Sequence, residues 1–419
     1  MQLHATAAIY VIAALSAAGV ILRPFNLAEA VWAVVGAGLL LALGLISVPE
    51  ALAGVAKGTD VYLFLFGMML LAEIAREEGL FDWLAAVATS HARGSARRLF
   101  QLTYVVGTVV TVFLSNDATA VVLTPAVAAA VKAAKAKEPL PYLLICAFIA
   151  NAASFVLPIS NPANLVIYGS RMPPLWQWLP AYLLPSLVSI VATYLLLRFT
   201  QRRALRQEVG LDIARPALSA AGKIAAVGIA ATAIVLLTSS AVGIRLGLPT
   251  AVAGAITAIV VIIAEKKWPW HIVKDVSWGV LPLVAGLFVL VEALAKTGLI
   301  DTIATLLHDG AQRSVLWTAA VAGVFVAFAS NLINNLPAGL IAGSAVQAGP
   351  ISDQVTRAIV IGVDLGPNLS ATGSLATILW LAALRRDGHS VGFGAFLKIG
   401  LVVMPPALIL ALAAALLPR

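Results

Sequence analysis

The chain has 419 residues, of which 61% are hydrophobic and 11% are charged. Soluble domains carry roughly 25% charged residues, so this composition excludes a soluble domain and indicates an integral membrane protein. The formal net charge of +8 does not by itself indicate a nucleic-acid partner, because cytoplasmic loops of membrane proteins are enriched in Lys and Arg.

Cysteine and histidine usage argues against bound metals and disulfides. The single cysteine, Cys146, excludes an internal disulfide framework. Five histidines are scattered without metal-ligand spacing: His4, His91, His271, His308 and His389. We therefore expect no protein-bound metal and no other cofactor.

In chain order, ten apolar segments are long enough to cross roughly 30 Å of hydrocarbon. They cover residues 5–22, 28–47, 60–77, 141–169, 177–199, 220–241, 247–264, 279–296, 355–383 and 392–416. Two more apolar stretches, at about 99–133 and 313–346, are split near the middle by polar residues into arms of roughly 15 residues. We expect both stretches to be re-entrant hairpins.

The two halves of the chain are related. If each hairpin enters and leaves on one side, each half has five crossings, so the halves must have opposite orientations. Residues 71–85 align without gaps with residues 290–304 and match Glu73 with Glu292. The predicted fold is an all-α polytopic membrane protein, an inverted repeat of five transmembrane helices plus one re-entrant hairpin each, with broken helices.

The polar residues 200–223 divide the chain near its midpoint and are predicted to be a cytoplasmic linker. The repeats would then be residues 1–199 and 224–419. Of the 27 Lys and Arg residues, 20 fall on the side of this linker and 7 on the other. The more basic side is predicted to be cytoplasmic, which places both termini in the periplasm or outside. Topology accounts for the positive charge, and we expect no nucleic-acid partner.

Tryptophans cluster at the ends of the predicted segments. They are Trp176, Trp178, Trp268, Trp270 and Trp278. Tryptophan is enriched at both membrane interfaces, so we interpret all five as interfacial anchors.

The first polar motif, FLSNDATAVVLTP, lies at the tip of the first hairpin. Its candidate binding residues are Ser115, Asn116, Asp117 and Thr119. Asp117 either caps the returning helix or, at membrane depth, exchanges protons or a cation, and one carboxylate can do both. Ser115, Asn116 and Thr119 can hydrogen-bond to unpaired backbone groups at the turn. This role is compatible with contact to a substrate.

The second motif, NAASFVLPISNPANLV, lies in a long apolar segment that two prolines break. Its candidate residues are Asn151, Ser160, Asn161 and Asn164. A break frees backbone groups for a ligand but also leaves them in need of partners, so the asparagines are either ligands or structural repairs.

The second half repeats this arrangement. The tip SNLINNLPAG offers Ser330, Asn331, Asn334 and Asn335, and the broken segment DLGPNLSATGSLAT offers Asp364, Asn368, Ser370, Thr372, Ser374 and Thr377. Two hairpin tips and two broken helices are the parts from which many secondary transporters build a site at the membrane midplane.

The four motifs contain no Lys or Arg, whereas Asp117 and Asp364 would oppose an anion. This chemistry favours a neutral ligand with several hydrogen-bonding groups, or a small cation. The candidates for proton coupling are Asp117, Asp364, Glu73 and Glu292. We interpret the two glutamates first as interface or hinge residues.

These runs resemble those of the arsenite efflux permease (ArsB) family, within the ion transporter superfamily of dicarboxylate and sodium/proton carriers. The similarity extends over nearly the whole chain, and the SNDATA and ISNPAN runs are its most specific parts. The resemblance implies export of arsenite and antimonite across the inner membrane of a prokaryote. Export would be either coupled to proton entry or assisted by a cytoplasmic arsenical ATPase.

The resemblance also implies elevator movement, with hairpins and broken helices as the carrier and the other helices as a scaffold, in a protein that is often a homodimer. The implied substrate region includes Asn116, Asp117, Asn161, Asn164, Asn331, Asn334, Asn335, Asn368 and Thr372.

One cysteine cannot form a polythiolate cage, and Cys146 lies outside the polar motifs, so arsenite would be held as neutral As(OH)3 through hydrogen bonds. We predict a transporter and no enzyme, since the chain has no HExxH motif and no Ser and His at a common depth. The leading hypothesis is proton-coupled arsenite export, and the alternative is a sodium/proton antiporter.

Overall fold

The computed structural model describes residues 2–210, 217–266, 274–386 and 388–417. These ranges form helices and no strand, with one isolated bridge between Ser95 and Glu208. The helices up to the linker are α1 Gln2–Leu22, α2 Glu29–Ala42, α3 Val48–Lys57, α4 Thr59–Glu77, α5 Leu80–His91, α6 Ala96–Phe113, α7 Asn116–Ala118, α8 Thr124–Ala133, α9 Leu140–Ala152, α10 Pro162–Tyr168 and α11 Leu175–Thr200.

The second half continues with α12 Ala220–Ala241, α13 Gly247–Glu265, α14 Val280–Lys296, α15 Leu299–Arg313, α16 Val315–Ile333, α17 Asn335–Ala348, α18 Asp353–Leu365, α19 Leu375–Arg386 and α20 Phe393–Leu416. The expected all-α fold with broken helices is confirmed. The repeat boundaries stay a prediction, and linker residues 211–216 lie outside the described residues.

Six of the described helices are long and apolar enough to span a membrane, and two bent pairs bring the number to as many as eight. The bent pairs are α3 with α4 (50°) and α14 with α15 (74°). The chain is a multi-pass membrane protein. One hairpin arm is longer than expected, because α16 continues for 19 residues through Ser330 and Asn331. Their side chains donate to the carbonyl oxygens of Val326 and Ala327, four residues earlier, so the helix accommodates them.

Helix pairing follows the same pattern in both halves. α4 packs against α13, and α2 packs against α14, so in each pair a helix of the first half contacts a helix of the second. The α4–α13 crossing is close because glycines face each other: a Cβ added at Gly67 would lie 2.2 Å from the carbonyl oxygen of Thr250. Small residues allow such close backbone contact in membranes.

Both hairpins and both broken helices meet in the protein interior. α6 turns at Ser115 into α7, a π-helical stretch Thr119–Leu123 and α8, and α16 turns into α17 at Asn334. Residues 153–161 separate α9 from α10, and residues 366–374 separate α18 from α19. The first hairpin contacts α19, while α17 packs against α10, so each hairpin packs on the broken helix of the other half.

The tryptophans do not all lie where we expected. Trp176 (64% exposed) and Trp278 (36% exposed) are surface residues, as anchors should be. Trp178 is fully buried and stacks on Tyr182 with ring centroids 4.2 Å apart, so its interpretation as an anchor was wrong. Position near a helix end does not determine which side of the helix a residue faces. Trp268 and Trp270 lie outside the described residues.

We predict that Gly67→Val destabilises the protein, because its branched side chain would collide with the backbone of α13. Overpacking typically costs about 1–3 kcal/mol. Gly38→Val is the matched control, since a Cβ at this exposed helical glycine meets nothing within 4 Å. Thermal unfolding in detergent should show a lower midpoint for the first variant than for the second. Equal midpoints would contradict close packing at this crossing.

Candidate functional site

A cavity of about 730 Å³ lies between α4, the first hairpin and α19. Its deep end is formed by Ser115, Asp117 and Pro162. Its outer part is lined by charged residues, which are Glu73, Arg76, Asp82, Lys274, Asp275 and Arg386. The basic residues of this rim belong to the side predicted to be cytoplasmic. Lys274, Asp275 and Arg386 are exposed, so the cavity opens to the surface at this rim.

The tip of the first hairpin presents Asp117 to the cavity. Ser115 caps the returning helix, because its Oγ accepts a hydrogen bond from the backbone nitrogen of Ala118 (3.1 Å). Asn116 Oδ1 accepts from the nitrogen of Asp117 (2.9 Å). The Asp117 carboxylate accepts no hydrogen bond from the described residues. Capping is thus the role of Ser115, and the carboxylate remains available for a proton or a ligand.

A second carboxylate lies behind the cavity wall. Asp364 is fully buried near the end of α18, and its Oδ1 accepts from Asn161 Nδ2 at 2.7 Å. Its Oδ2 has no hydrogen-bond partner among the described residues. Ser154 is close to this carboxylate, but its hydroxyl donates to the carbonyl oxygen of Asn151 (2.8 Å). Its partner Asn161 directly precedes Pro162, which borders the cavity.

Amide side chains connect the two broken helices. Asn151 Nδ2 donates to Asn368 Oδ1 (3.0 Å), and Asn368 Nδ2 donates to the carbonyl oxygen of Phe148 (3.0 Å). Asn164 Nδ2 donates to the carbonyl oxygen of Ser154 (3.0 Å), within the break. The Oδ1 atoms of Asn151 and Asn164 have no partner among the described residues. The asparagines therefore repair backbone, as one alternative held, and still have unused acceptors.

The second hairpin tip is closed against the second broken helix. The backbone nitrogen of Asn335 donates to the carbonyl oxygen of Gly373 (2.9 Å), and Ser370 Oγ donates to Asn331 Oδ1 (2.7 Å). Asn334 adopts φ 72° and caps α17 through a bond from the nitrogen of Leu336 (3.3 Å). This tip does not border the described cavity.

The remaining predicted residues make local contacts. Their hydrogen bonds are Thr119 with Thr111 (2.8 Å), Ser160 to the carbonyl oxygen of Val112 (3.0 Å), Thr372 to that of Asn331 (3.3 Å), Ser374 with Thr377 (2.8 Å), and Ser330 within its helix. Of the predicted binding residues, only Ser115 and Asp117 line the cavity. The structure thus separates the set into a cavity-lining pair and a buried network.

Both candidate glutamates have cationic partners. Glu73 is paired with Arg76, which also contacts Asp275 at 3.1 Å across the two halves. Glu292 is paired with Lys57 at 2.5 Å. Lys57 connects α3 to Glu292 of α14, and Arg76 connects α4 to Asp275 of the other half, which supports the interpretation as interface residues.

Of the charged residues at the rim of the cavity, sequence reasoning named only Glu73 as a candidate. Asp82 carried a signal, since it aligns with Asp301 in the other half. Burial raises the pKa of the Asp82 carboxyl, while the charge of Arg76 opposes this rise. Asp275 carried no signal, because it approaches Arg76 only through tertiary packing.

Comparisons with known proteins agree with the fold. The CitMHS family, described as citrate transporter, matches residues 10–363. The arsenical pump membrane protein of Escherichia coli K12 is 27% identical over 423 residues, covering 94% of this chain and 95% of the relative. The putative arsenical pump membrane protein of Bacillus subtilis is 25% identical, covering 91% and 93% of the two chains. These matches confirm the resemblance indicated by the polar runs.

A solved structure is also similar. The crystal structure of the Alcanivorax borkumensis YdaH transporter, described as having an unusual topology, gives a TM-score of 0.54 at 14% sequence identity. The match covers 87% of this chain and 85% of the other. At this identity the match shows a shared fold.

We predict that Asn161→Ala lowers the free energy of unfolding by about 1–3 kcal/mol, because it leaves buried Asp364 without its partner. In an Asp364→Ala background the same change should cost less, with a coupling of about 0.5–3 kcal/mol. The four proteins of this cycle can be compared by thermal unfolding in detergent. Additive losses would contradict the interaction.

Proposed function

The chain belongs to the CitMHS family, and we propose that it is a secondary active transporter that exports arsenite and antimonite as neutral hydroxides in exchange for protons. The observation that carries the proposal is the deep end of the cavity, where a hydroxyl and an unpaired carboxylate meet without a basic side chain. The relatives named arsenical pump membrane protein, aligned over nearly their whole length, support the substrate.

The cavity suits a small hydroxylated molecule. As(OH)3 is neutral, donates hydrogen bonds to the Asp117 carboxylate and accepts one from the Ser115 hydroxyl. Cys146 is fully buried in α9 and does not line the cavity, so tight thiolate binding plays no part. Hydrogen bonds alone hold the substrate loosely enough for release on the other side of the membrane.

Citrate, the substrate in the family description, fits this cavity less well. A tricarboxylate at the deep end would be repelled by Asp117, since burial strengthens the repulsion between like charges. Arg76 lines the cavity, but Glu73, Glu77 and Asp275 already surround its guanidinium. A neutral substrate avoids both problems.

Asp117 is the proposed coupling residue. It would bind a proton in one facing state and release it in the other, so that proton entry drives substrate exit. The cavity separates α4 from the first hairpin and α19, which is where a moving carrier and a fixed scaffold would meet. We therefore extend the proposal to elevator movement at this boundary. The proposed transporter is a homodimer in the inner membrane, with both termini outside.

A sodium/proton antiporter is the alternative function. Its supporting observation is the buried network, in which Asp364 and two asparagines offer oxygen atoms without partners. Hard cations prefer such oxygen ligands. Proteoliposomes with an imposed pH gradient separate the two functions, because the gradient collapses with arsenite in one case and with sodium in the other.

We predict that an imposed pH gradient drives arsenite uptake into inverted vesicles and that Asp117→Asn abolishes this response. The amide keeps the size of the side chain but cannot carry the proton. Asp301→Asn is the control, since it changes an exposed aspartate of α15, away from the cavity. Gradient-driven uptake by Asp117→Asn at the wild-type rate would exclude this residue as the proton carrier.

Cys146→Ser should leave arsenite transport within about twofold of wild type, since the thiol is outside the cavity. Initial uptake rates, normalised to the amount of folded protein, provide the measurement. Loss of arsenite binding in this variant would mean that a thiolate holds the substrate and would overturn the hydroxide model.

A further inference from the structure

A basic surface surrounds the first part of the linker, outside the cavity. It is formed by residues 93–98, 132–137 and 198–206, which we call the linker surface. Every Lys and Arg in these ranges is exposed, and the ranges contain no Asp or Glu. None of these basic side chains forms an ion pair with another described residue. The linker surface is therefore a concentration of positive charge without a counter-charge.

Hydrogen bonds hold the segments of the linker surface together. The backbone nitrogen of Val209 donates to the carbonyl oxygen of Gly94 (3.1 Å). Gln207 Oε1 accepts from the backbone nitrogen of Lys137 (2.7 Å). The linker is thus bound to the segments that precede and follow the first hairpin. Because like charges repel, gathering them in this way favours the binding of an anion.

Two arginines at the end of α11 are held by aromatic rings instead of by carboxylates. The Arg202 guanidinium lies over the Phe199 ring, 4.6 Å from its centroid. Arg198 lies over the Tyr194 ring at 5.9 Å and donates to Tyr194 Oη at 3.4 Å. Contact with a ring fixes a guanidinium but leaves most of its hydrogen-bond donors available to an anion.

An exposed apolar row leads from these arginines along α11. Leu187, Val191, Leu195 and Phe199 follow one another at intervals of four residues, so they lie on one face of the helix. Each of the four is more than half exposed. At 1.5 Å per residue the row is about 18 Å long, whereas one leaflet of a roughly 30 Å hydrocarbon core is about 15 Å deep. The length of the row matches an acyl chain that reaches through one leaflet.

We propose that the linker surface and the apolar row of α11 together bind an anionic phospholipid. The phosphate contacts the guanidinium groups of Arg198 and Arg202, and one acyl chain lies along the row from Phe199 to Leu187. Basic residues beside a membrane-spanning helix attract anionic headgroups in this way. The inference requires that α11 spans the membrane, and it does not depend on the transported substrate.

A soluble acidic protein is the competing occupant. It would contact the charges of the linker surface, but the apolar row lies within a helix that is long and apolar enough to cross the membrane, out of reach of a soluble partner. A phospholipid has both a negative headgroup and an apolar chain, so it matches both features. The bound lipid would lie beside the base of the first hairpin, because Gln207 and Val209 join the linker to it.

The test measures lipid binding to the purified protein in detergent by native mass spectrometry. Titration with phosphatidylglycerol or with phosphatidylcholine gives a Kd for the first bound lipid. We expect wild type to prefer phosphatidylglycerol, and Arg198→Gln/Arg202→Gln to bind it about tenfold or more weakly. Arg385→Gln/Lys398→Gln is the control, since it removes the same charge from exposed positions outside the linker surface and should bind within about twofold of wild type.

A second pair of variants keeps the test decisive if the neutral variant does not fold. Arg198→Lys/Arg202→Lys preserves both charges and should keep the preference for phosphatidylglycerol. Arg203→Gln/Arg206→Gln removes two other exposed charges of the linker surface and should weaken binding without disturbing the two ring contacts. Unfolding midpoints measured without added lipid show which variants are folded.

Three outcomes would overturn the proposal. Equal affinity of wild type for the two lipids would leave a soluble acidic protein as the occupant of the linker surface. The same preference in wild type, in both neutral variants and in the control would mean that the overall charge of the protein selects the lipid. Free glycerol phosphate has the anionic headgroup without acyl chains, so displacement of the lipid by an equal concentration of it would show that the apolar row takes no part.

Discussion

The need to satisfy backbone groups inside a membrane determines where polar residues occur in this protein. Hydrocarbon offers no water to a broken helix, and each unpaired backbone group costs several kcal/mol. Asn164 meets this need in the first break by donating to the carbonyl oxygen of Ser154, and Asn331 does so in the second by donating to that of Gly366 (3.0 Å). The breaks position the candidate site, and the asparagine side chains offset the free-energy cost of the unpaired backbone groups.

Two further hydrogen bonds in this network join the two halves of the chain into one unit. Asp364 of the second half is bound to Asn161 of the first, and Asn151 of the first is bound to Asn368 of the second. A carrier assembled in this way would move as one body. The two tips nevertheless differ, because the first borders an open cavity and the second is closed through Asn335 and Gly373.

Features that depend on neighbouring residues could be predicted from the sequence. The helix breaks follow from Pro158 and Pro162, and the fold class follows from composition and segment length. Features that depend on distant partners could not. Arg76 meets Asp275 only through packing of the two halves, and the inward direction of Trp178 depends on the helices around α11.

Duplication explains why the site has two carboxylates in different surroundings. Asp117 and Leu336 are both the second residue of the helix that returns from a hairpin tip. Asn151 and Asp364 are both the penultimate residue before a break. Each duplicated position therefore carries one carboxylate and one neutral side chain.

This division has an electrostatic consequence. Carboxylates at both members of each pair would place four negative charges around one poorly solvated site, and their mutual repulsion would keep some of them protonated permanently. With one carboxylate per pair, each can gain and lose a proton on its own. In the proposed mechanism Asp117 would do so beside the cavity, whereas Asp364 lies in the buried network, bound to Asn161. An inverted repeat whose two halves share one shape can thus carry its carboxylates at different positions in the two halves.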